Sequence, residues 1–321
     1  MLNSNIQKFL GVAFFSAIII ITIIISGKTI NRHVGTIPSG GEIGAFEDDS
    51  PKPLEAPFYP TIDTVSSVVT IQDKLKYLYS IEQGAYVLPE QLDLEGFLKR
   101  DFSTELIGGE PKILIFHTHS TESFIDSREG EEDDTVVGLG NLLAGILSAD
   151  YHIPVVHDTG NYDAVNGKVT RNGSYERMSR GVGGILEKYP SIEIMIDLHR
   201  DGVADNVHLV QDIDGAPTAR MMFCDGVTCL DDNGSPKPMP DLPNPYINEN
   251  LALSLQLQLA ANELYPGLMR HIYIKPYRYS LYFKPKSILV EVGANTNTVA
   301  EAQNAMWPLA QILTSVLESK D

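Results

Sequence analysis

Residues 112–124 read KILIFHTHSTESF, an apolar run that ends in two histidines one residue apart, with a glutamate three residues after the second. The run reads as a buried strand. From it to the C terminus, about 210 residues alternate strand and helix signals, enough for one α/β domain with a sizeable core. TVVGLGNLLAGILSADY has apolar spacing of three and four and reads as a helix; IPVVHD reads as a strand, YERMSRGVGGILEKYP as a helix and IEIMIDLH as a strand. NVHLVQDI and TARMMFCDG follow as strands, ENLALSLQLQLAANELYP as a helix, SILVEVG as a strand and VAEAQNAMWPLAQILTSVLES as one closing helix. Near-continuous apolar strands between helices predict a mixed, largely parallel sheet flanked by helices. Such sheets place their sites at the carboxyl ends of strands.

Three strands end in groups that bind metal or move protons. ILIF runs into His117 and His119, IEIMI into Asp197, His199, Arg200 and Asp201, and SILV into Glu291. Imidazoles with a carboxylate are the donors that zinc prefers, and a catalytic zinc keeps three protein ligands and an open position for water. A nearby glutamate then relays the proton to a leaving amine. Each residue also has a plainer reading. A strand-end histidine is often only hydrogen-bonded, and His117 and His119 share a face only while extended geometry persists. IDLHRD suits a structural Asp/Arg ion pair, and Glu291 suits a pair with Lys286 or an arginine. A buried acid with no partner is costly, which makes Glu291 the most informative carboxylate. His33, His152, His157, His208 and His271 have no comparable setting.

Upstream, residues 9–27 carry no charge and are mostly Ile, Phe, Val and Ala. A helix of that length spans about 28 Å, close to the hydrocarbon core of a bilayer. The stretch is long for a cleaved signal and no A-x-A-like site follows it, so it reads as an uncleaved transmembrane anchor. Lys8 with the amino terminus, set against Lys28 and Arg32, leaves the positive-inside count nearly tied. Residues 28–110 form a linker, rich at first in Gly, Pro, Ser and acids, with short helical pieces in IQDKLKYLYSIEQGAY and LDLEGFLKRDF. The catalytic domain is assigned to residues 111–321. With 24 Lys and Arg against 42 Asp and Glu, the net charge is -18, and no basic stripe with interleaved aromatics is present. Nucleic acid is excluded as a partner on that ground.

HTHSTESF, IDLHRD and KPKSILVEVGANTNTVAEA, in this order and spacing, resemble the stage II sporulation protein P family, membrane-anchored cell-wall hydrolases of endospore-forming bacteria. The likeness runs from about Pro111 to the C terminus, and YPGLMR and NGSYERMSR fit it. More distantly, the pattern is similar to zinc-dependent N-acetylmuramoyl-L-alanine amidases. The resemblance implies His119 and His199 as zinc ligands and Glu291 as the catalytic glutamate. For the third ligand it implies Glu122, with Asp133 of the EEDD stretch as the alternative. His117 and Arg200 would hold a ligand's tautomer or a peptide carboxylate, and Arg200 would help steady the oxyanion.

It further implies amidase activity on peptidoglycan during engulfment, an added endopeptidase activity on cross-links, and partners in stage II sporulation proteins D and M. Residues 1–8 would be cytoplasmic and the catalytic domain extracytoplasmic, in the septal or intermembrane space of the sporangium. The contrasting function class is a membrane-tethered wall-binding scaffold that has lost its chemistry. One departure from the family pattern is MMFCDGVTCLDDNGSPKPMPDLP. Here Cys224 and Cys229 either close a small loop or remain thiols, and the Pro-rich tail reads as a surface loop beside the site.

Overall fold

The computed structural model describes residues 57–319. The expected anchor at residues 9–27 and its flanks lie outside the described residues; among the described residues no helix is long and apolar enough to cross a membrane.

The apolar runs become neighbours in one sheet. Its strands are β1 (Tyr79–Ile81), β2 (Ile113–Phe116), β3 (Val155–His157), β4 (Ile194–Asp201), β5 (Met221–Gly226), β6 (Ile272–Lys275) and β7 (Lys286–Ala294). They lie in the order β1-β6-β5-β7-β4-β2-β3, and every neighbouring pair is parallel except β5 with β7. The mixed, largely parallel sheet expected from the sequence is therefore present.

Seven helices accompany it in the described residues: α1 (Ile71–Tyr77), α2 (Leu94–Leu98), α3 (Val136–Ala149), α4 (Ser174–Lys188), α5 (Ile247–Leu264), α6 (Val299–Asn304) and α7 (Met306–Leu317). Strand alternation divides the core between two faces. Ile113, Ile115, Ile194 and Ile196 pack with residues of α3, α5 and α7, while Leu114, Phe116 and Met195 pack with Met178 and Val182 of α4. All of these side chains are at most 1% exposed. Burying each of the larger ones stabilises the fold by roughly 1.5–3 kcal/mol. On the α4 face, His199 of β4 and Glu291 of β7 line a cavity together with Tyr175 of α4, and that is where the site lies.

Three elements differ from the sequence reading. The closing helix is two helices, because Pro308 in a continuous helix would set its ring against the carbonyl of Asn304; as the third residue of α7 it sits in a first turn that needs no donor there. NVHLVQDI and the start of TARMMFCDG form a separate hairpin, Val210–Ile213 with Ala216–Ala219, before the chain enters the sheet as β5. Third, the core takes in residues assigned to the linker. Leu78, Tyr79, Phe97, Phe102 and Leu106 are buried in it, and Tyr79–Ile81 forms the strand at one edge of the sheet. The short helical pieces read there are present as α1 and α2, and residues 57–110 together supply nine buried side chains to the core.

Candidate active site

Strand β2 stops at Phe116, and the chain turns at once, closed by the Glu122 N–H donating to the His119 carbonyl at 3.1 Å. Extended geometry ends there, so the two histidines part. His117 is fully buried; its Nδ1 is 2.8 Å from the Leu198 carbonyl and its Nε2 2.9 Å from Nε2 of His157. Burial drives its basicity down, to a pKa of about 3. Gly140 of α3 makes room for the pair, since a Cβ there would lie 2.4 Å from His157 Nε2 and 2.6 Å from His117 Nε2. The hydrogen bonds of His117 thus run to the Leu198 carbonyl and His157, not to His119, Glu122 or His199.

His119, by contrast, turns toward β4. Its Nδ1 is 3.4 Å from Glu122 Oε1, and the other oxygen, Oε2, is 3.2 Å from His199 Nδ1. One potential ligand atom from each of His119, Glu122 and His199 falls within 4.8 Å of the others. Asp133 stands apart and exposed, in the 3-10 turn Glu132–Asp134.

Carboxylates support the imidazoles from behind. Asp197, two residues before His199 and so on the same face of β4, is fully buried, with Oδ1 2.8 Å from His199 Nε2. It also accepts from the Thr118 N–H at 2.9 Å and the Thr118 hydroxyl at 2.7 Å. Burial opposes a charge on His199, but Asp197 and Glu122 on its two sides hold its pKa well above the usual value. Burial likewise opposes a charge on Glu122, yet His199 and His119 hold its pKa well below the usual range. Arg171, arriving from a distant loop, puts Nη1 2.8 Å from Glu122 Oε1. Two buried carboxylates thus draw positive charge to the point where the donors meet. A His/Glu/His set with that demand for a cation fits zinc by donor type and number.

Glu291 completes the pocket. On β7 it stands in register with His199 on β4, and its Oε2 is buried with no hydrogen-bond partner. Burial, reinforced by Glu122 and Asp201 and opposed by His199 and Lys275, pushes its pKa up to about 7. Lys286 does not neutralise it: that ammonium contacts the Ser103 carbonyl, Thr104 and Glu193.

The cavity, about 180 Å³, is lined by His119, Glu122, His199 and Glu291, and by Arg171, Tyr175, Lys275 and Tyr279, which the sequence reading did not single out. Arg200 is not among its walls. Its guanidinium donates to the carbonyls of Ser123 at 2.9 Å and Asp201 at 3.3 Å, and its backbone N–H to Glu122 Oε2 at 3.1 Å. Cys224 lines the pocket as a buried free thiol; Cys229 is also free, and no disulfide joins them.

A profile of the stage II sporulation protein P family matches residues 66–314. The chain belongs to that family. A stage II sporulation protein P of Bacillus subtilis (strain 168) is 22% identical over 236 residues, which cover 68% of this chain and 54% of the relative. The chain thus spans about half the length of that family member. Among solved structures it is similar to the CwlD amidase of Clostridioides difficile, solved in complex with the GerS lipoprotein (TM-score 0.39, 13% identity, 64% of this chain and 98% of the other). It is also similar to an N-acetylmuramoyl-L-alanine amidase of Clostridium difficile 630 (TM-score 0.38, 17% identity, 67% and 100%).

Proposed function

We propose that the chain is a zinc-dependent N-acetylmuramoyl-L-alanine amidase that removes stem peptides from peptidoglycan during engulfment. The observation that carries this reading is the meeting of His119, Glu122 and His199 beside Glu291, a half-buried carboxylate whose Oε2 is itself buried with no partner. In this reading the triad holds zinc, which when bound supplies a Lewis acid that polarises an amide carbonyl and acidifies water. Glu291 takes a proton from the attacking water and returns it to the nitrogen of L-alanine as the bond to the lactyl carbonyl breaks. Its raised pKa suits a group that must both accept and release a proton near neutrality. Asp197 holds His199 in orientation from behind. Arg200 acts through Glu122 and the turn, and the cation facing the developing oxyanion from the pocket wall is Lys275.

The same reading places the domain outside the cell membrane on a single-pass anchor at residues 9–27, working with stage II sporulation proteins D and M. Endopeptidase action on cross-links is a second reaction of the same centre. A wall-binding scaffold, the contrasting reading, has no use for a glutamate oxygen buried without a partner, which destabilises a domain unless it serves chemistry. The test is zinc content of the full-length protein together with mass analysis of muropeptides released from purified sacculi. One zinc per chain with free stem peptides is expected. Sacculus binding without release, by a chain lacking stoichiometric metal, would favour the scaffold.

A further inference from the structure

Beside the catalytic pocket lies a second cleft of about 360 Å³, and the two share Tyr175 and Tyr279 as a common wall. Its other side is built by Tyr277, Arg278 and Tyr282, with Arg180 of α4 across from them. The tyrosine loop is held against the end of β5. A Cβ on Gly226 would lie 1.9 Å from the Tyr277 carbonyl oxygen, so only glycine permits this approach, and the Cys229 N–H donates to the Pro276 carbonyl at 3.1 Å. Tyr279 has φ +50°, in the left-handed region that a tyrosine adopts only when its surroundings impose it. The Tyr282 hydroxyl donates to Ser179 at 2.9 Å, tying the loop to α4. This wall is built in advance of any ligand.

The chemistry of the cleft selects an anion. Tyr282 stacks on the Arg278 guanidinium at 3.8 Å and on Phe283 at 4.4 Å, so both of its faces are covered. Tyr279 meets Tyr175 and Tyr277 edge-on, with centroids 5.8 and 6.3 Å apart, and Lys275 Nζ lies 5.2 Å from its centroid. These rings are engaged with one another and with cations, which leaves little flat surface for a sugar. The cleft's cationic donors are Arg180 and Arg278. Stacking leaves the edge of the Arg278 guanidinium open, with Nη1 given to the Pro243 carbonyl at 3.2 Å. Arg180 is exposed and makes no ion pair or hydrogen bond among the described residues, although Glu176 precedes it by one helical turn. Glu176 also lines the cleft, so its walls carry two arginines against one glutamate, a local excess of positive charge in a chain of net charge -18.

We infer that this cleft seats the carboxylate-bearing peptide limb of the substrate, with Arg180 and Arg278 as its anion donors. The inference rests on the amidase reading, since it places the peptide side of the scissile amide beyond Tyr175 and Tyr279. Arg180 is a specificity residue in this arrangement, remote from the reacting atoms. Arg278 both binds the carboxylate and braces the loop.

The test is calorimetric titration of the full-length, zinc-loaded protein, in a Glu291→Gln background that stops turnover. The probes are N-acetylmuramoyl-L-alanyl-D-glutamate and its diamide. The diacid should bind about tenfold or more tightly than the diamide, as expected for charge-assisted hydrogen bonds. Arg180→Gln, which removes no hydrogen bond or ion pair within the protein, should abolish most of that preference without moving Tm; Arg278→Gln should do the same, with some loss of Tm. Equal affinity for the two probes, no measurable binding of the diacid, or a preference that survives Arg180→Gln and Arg278→Gln would overturn the subsite. Cleavage by the wild type is followed in parallel. Turnover of both probes without discrimination removes the subsite and leaves the amidase. Arginine-dependent binding of the diacid with no turnover of either probe or of sacculi removes the amidase and leaves the subsite.

Discussion

The two faces of the central sheet each carry a carboxylate whose pKa is pushed up to about 7 by desolvation, half-buried Glu291 toward α4 and fully buried Asp225 toward α5. Only one of them is in a position to act. Around Glu291 stand two imidazoles, Glu122, Lys275 and Arg171, with a cavity between them. Around Asp225 the surroundings are closed: it is 1% exposed, neither oxygen has a well-formed hydrogen bond, and the hydroxyl of Tyr79 nearby is also unpartnered. A perturbed acid is therefore not by itself a site. What marks the α4 face is convergence, with donors from three strand ends meeting where a substrate has room.

The sharpest way to break this comparison is to dismantle the convergence. His119→Ala and His199→Ala should each lower zinc occupancy by at least about tenfold and reduce stem-peptide release below detection, with circular dichroism of a folded α/β protein retained. Unchanged metal content and activity in both variants would remove the zinc assignment. His117→Gln supplies the contrast. Two residues away, it should retain the metal, because its bonds run to the Leu198 carbonyl and His157.

Next in size is the carboxylate itself. Glu291→Gln keeps the shape of the side chain and removes the charge that accepts a proton. Turnover should fall by roughly 100-fold or more, the contribution of a positioned general base, while zinc content stays at the wild-type level. Loss of the metal together with activity would make Glu291 a ligand. Wild-type turnover would remove it from the mechanism and leave the two faces of the sheet equivalent.

How much of this was legible in the sequence follows from where each residue sits. His119, Glu122, His199 and Glu291 stand at or just after the ends of apolar runs, and a polar residue at such a point is conspicuous. Arg171 and Lys275 are not: they reach the pocket only because the fold brings a loop 52 residues beyond His119, and the end of β6, against it. Tyr175 lay within NGSYERMSR, a stretch visible by resemblance, yet nothing local indicated that its ring would face His119, 5.8 Å between centroids. Strand β1 is three residues long and pairs with β6, nearly 200 positions away, so no local pattern could reveal it. The parting of His117 from His119 depended on the backbone turning at residue 117, which composition does not specify.

The smallest expected effect concerns Asp225, and it separates burial from function. Its pKa in the folded chain is raised to about 7 from 3.8, first by desolvation, with the Ser254 hydroxyl working against the shift. The folded state therefore holds this proton more tightly than the unfolded state does. The stabilisation linked to it is complete below about pH 3.8, falls as pH rises toward 7, and is gone above that. Asn at this position is neutral throughout. Asp225→Asn should therefore be more stable relative to the wild type at pH 8 than at pH 5, by an amount on the order of 1–3 kcal/mol, or several degrees in Tm for a domain of this size. Glu291 contributes a trend of the same sign to both proteins, so the difference between their melting curves cancels it and isolates Asp225. Muropeptide release at pH 7 should not change by more than about twofold, since Asp225 faces α5 and lines no part of the catalytic pocket. A pH-independent difference in Tm would mean that Asp225 is not protonated in the folded chain. A loss of turnover as large as that of Glu291→Gln would show that the carboxylate on the α5 face also serves the reaction.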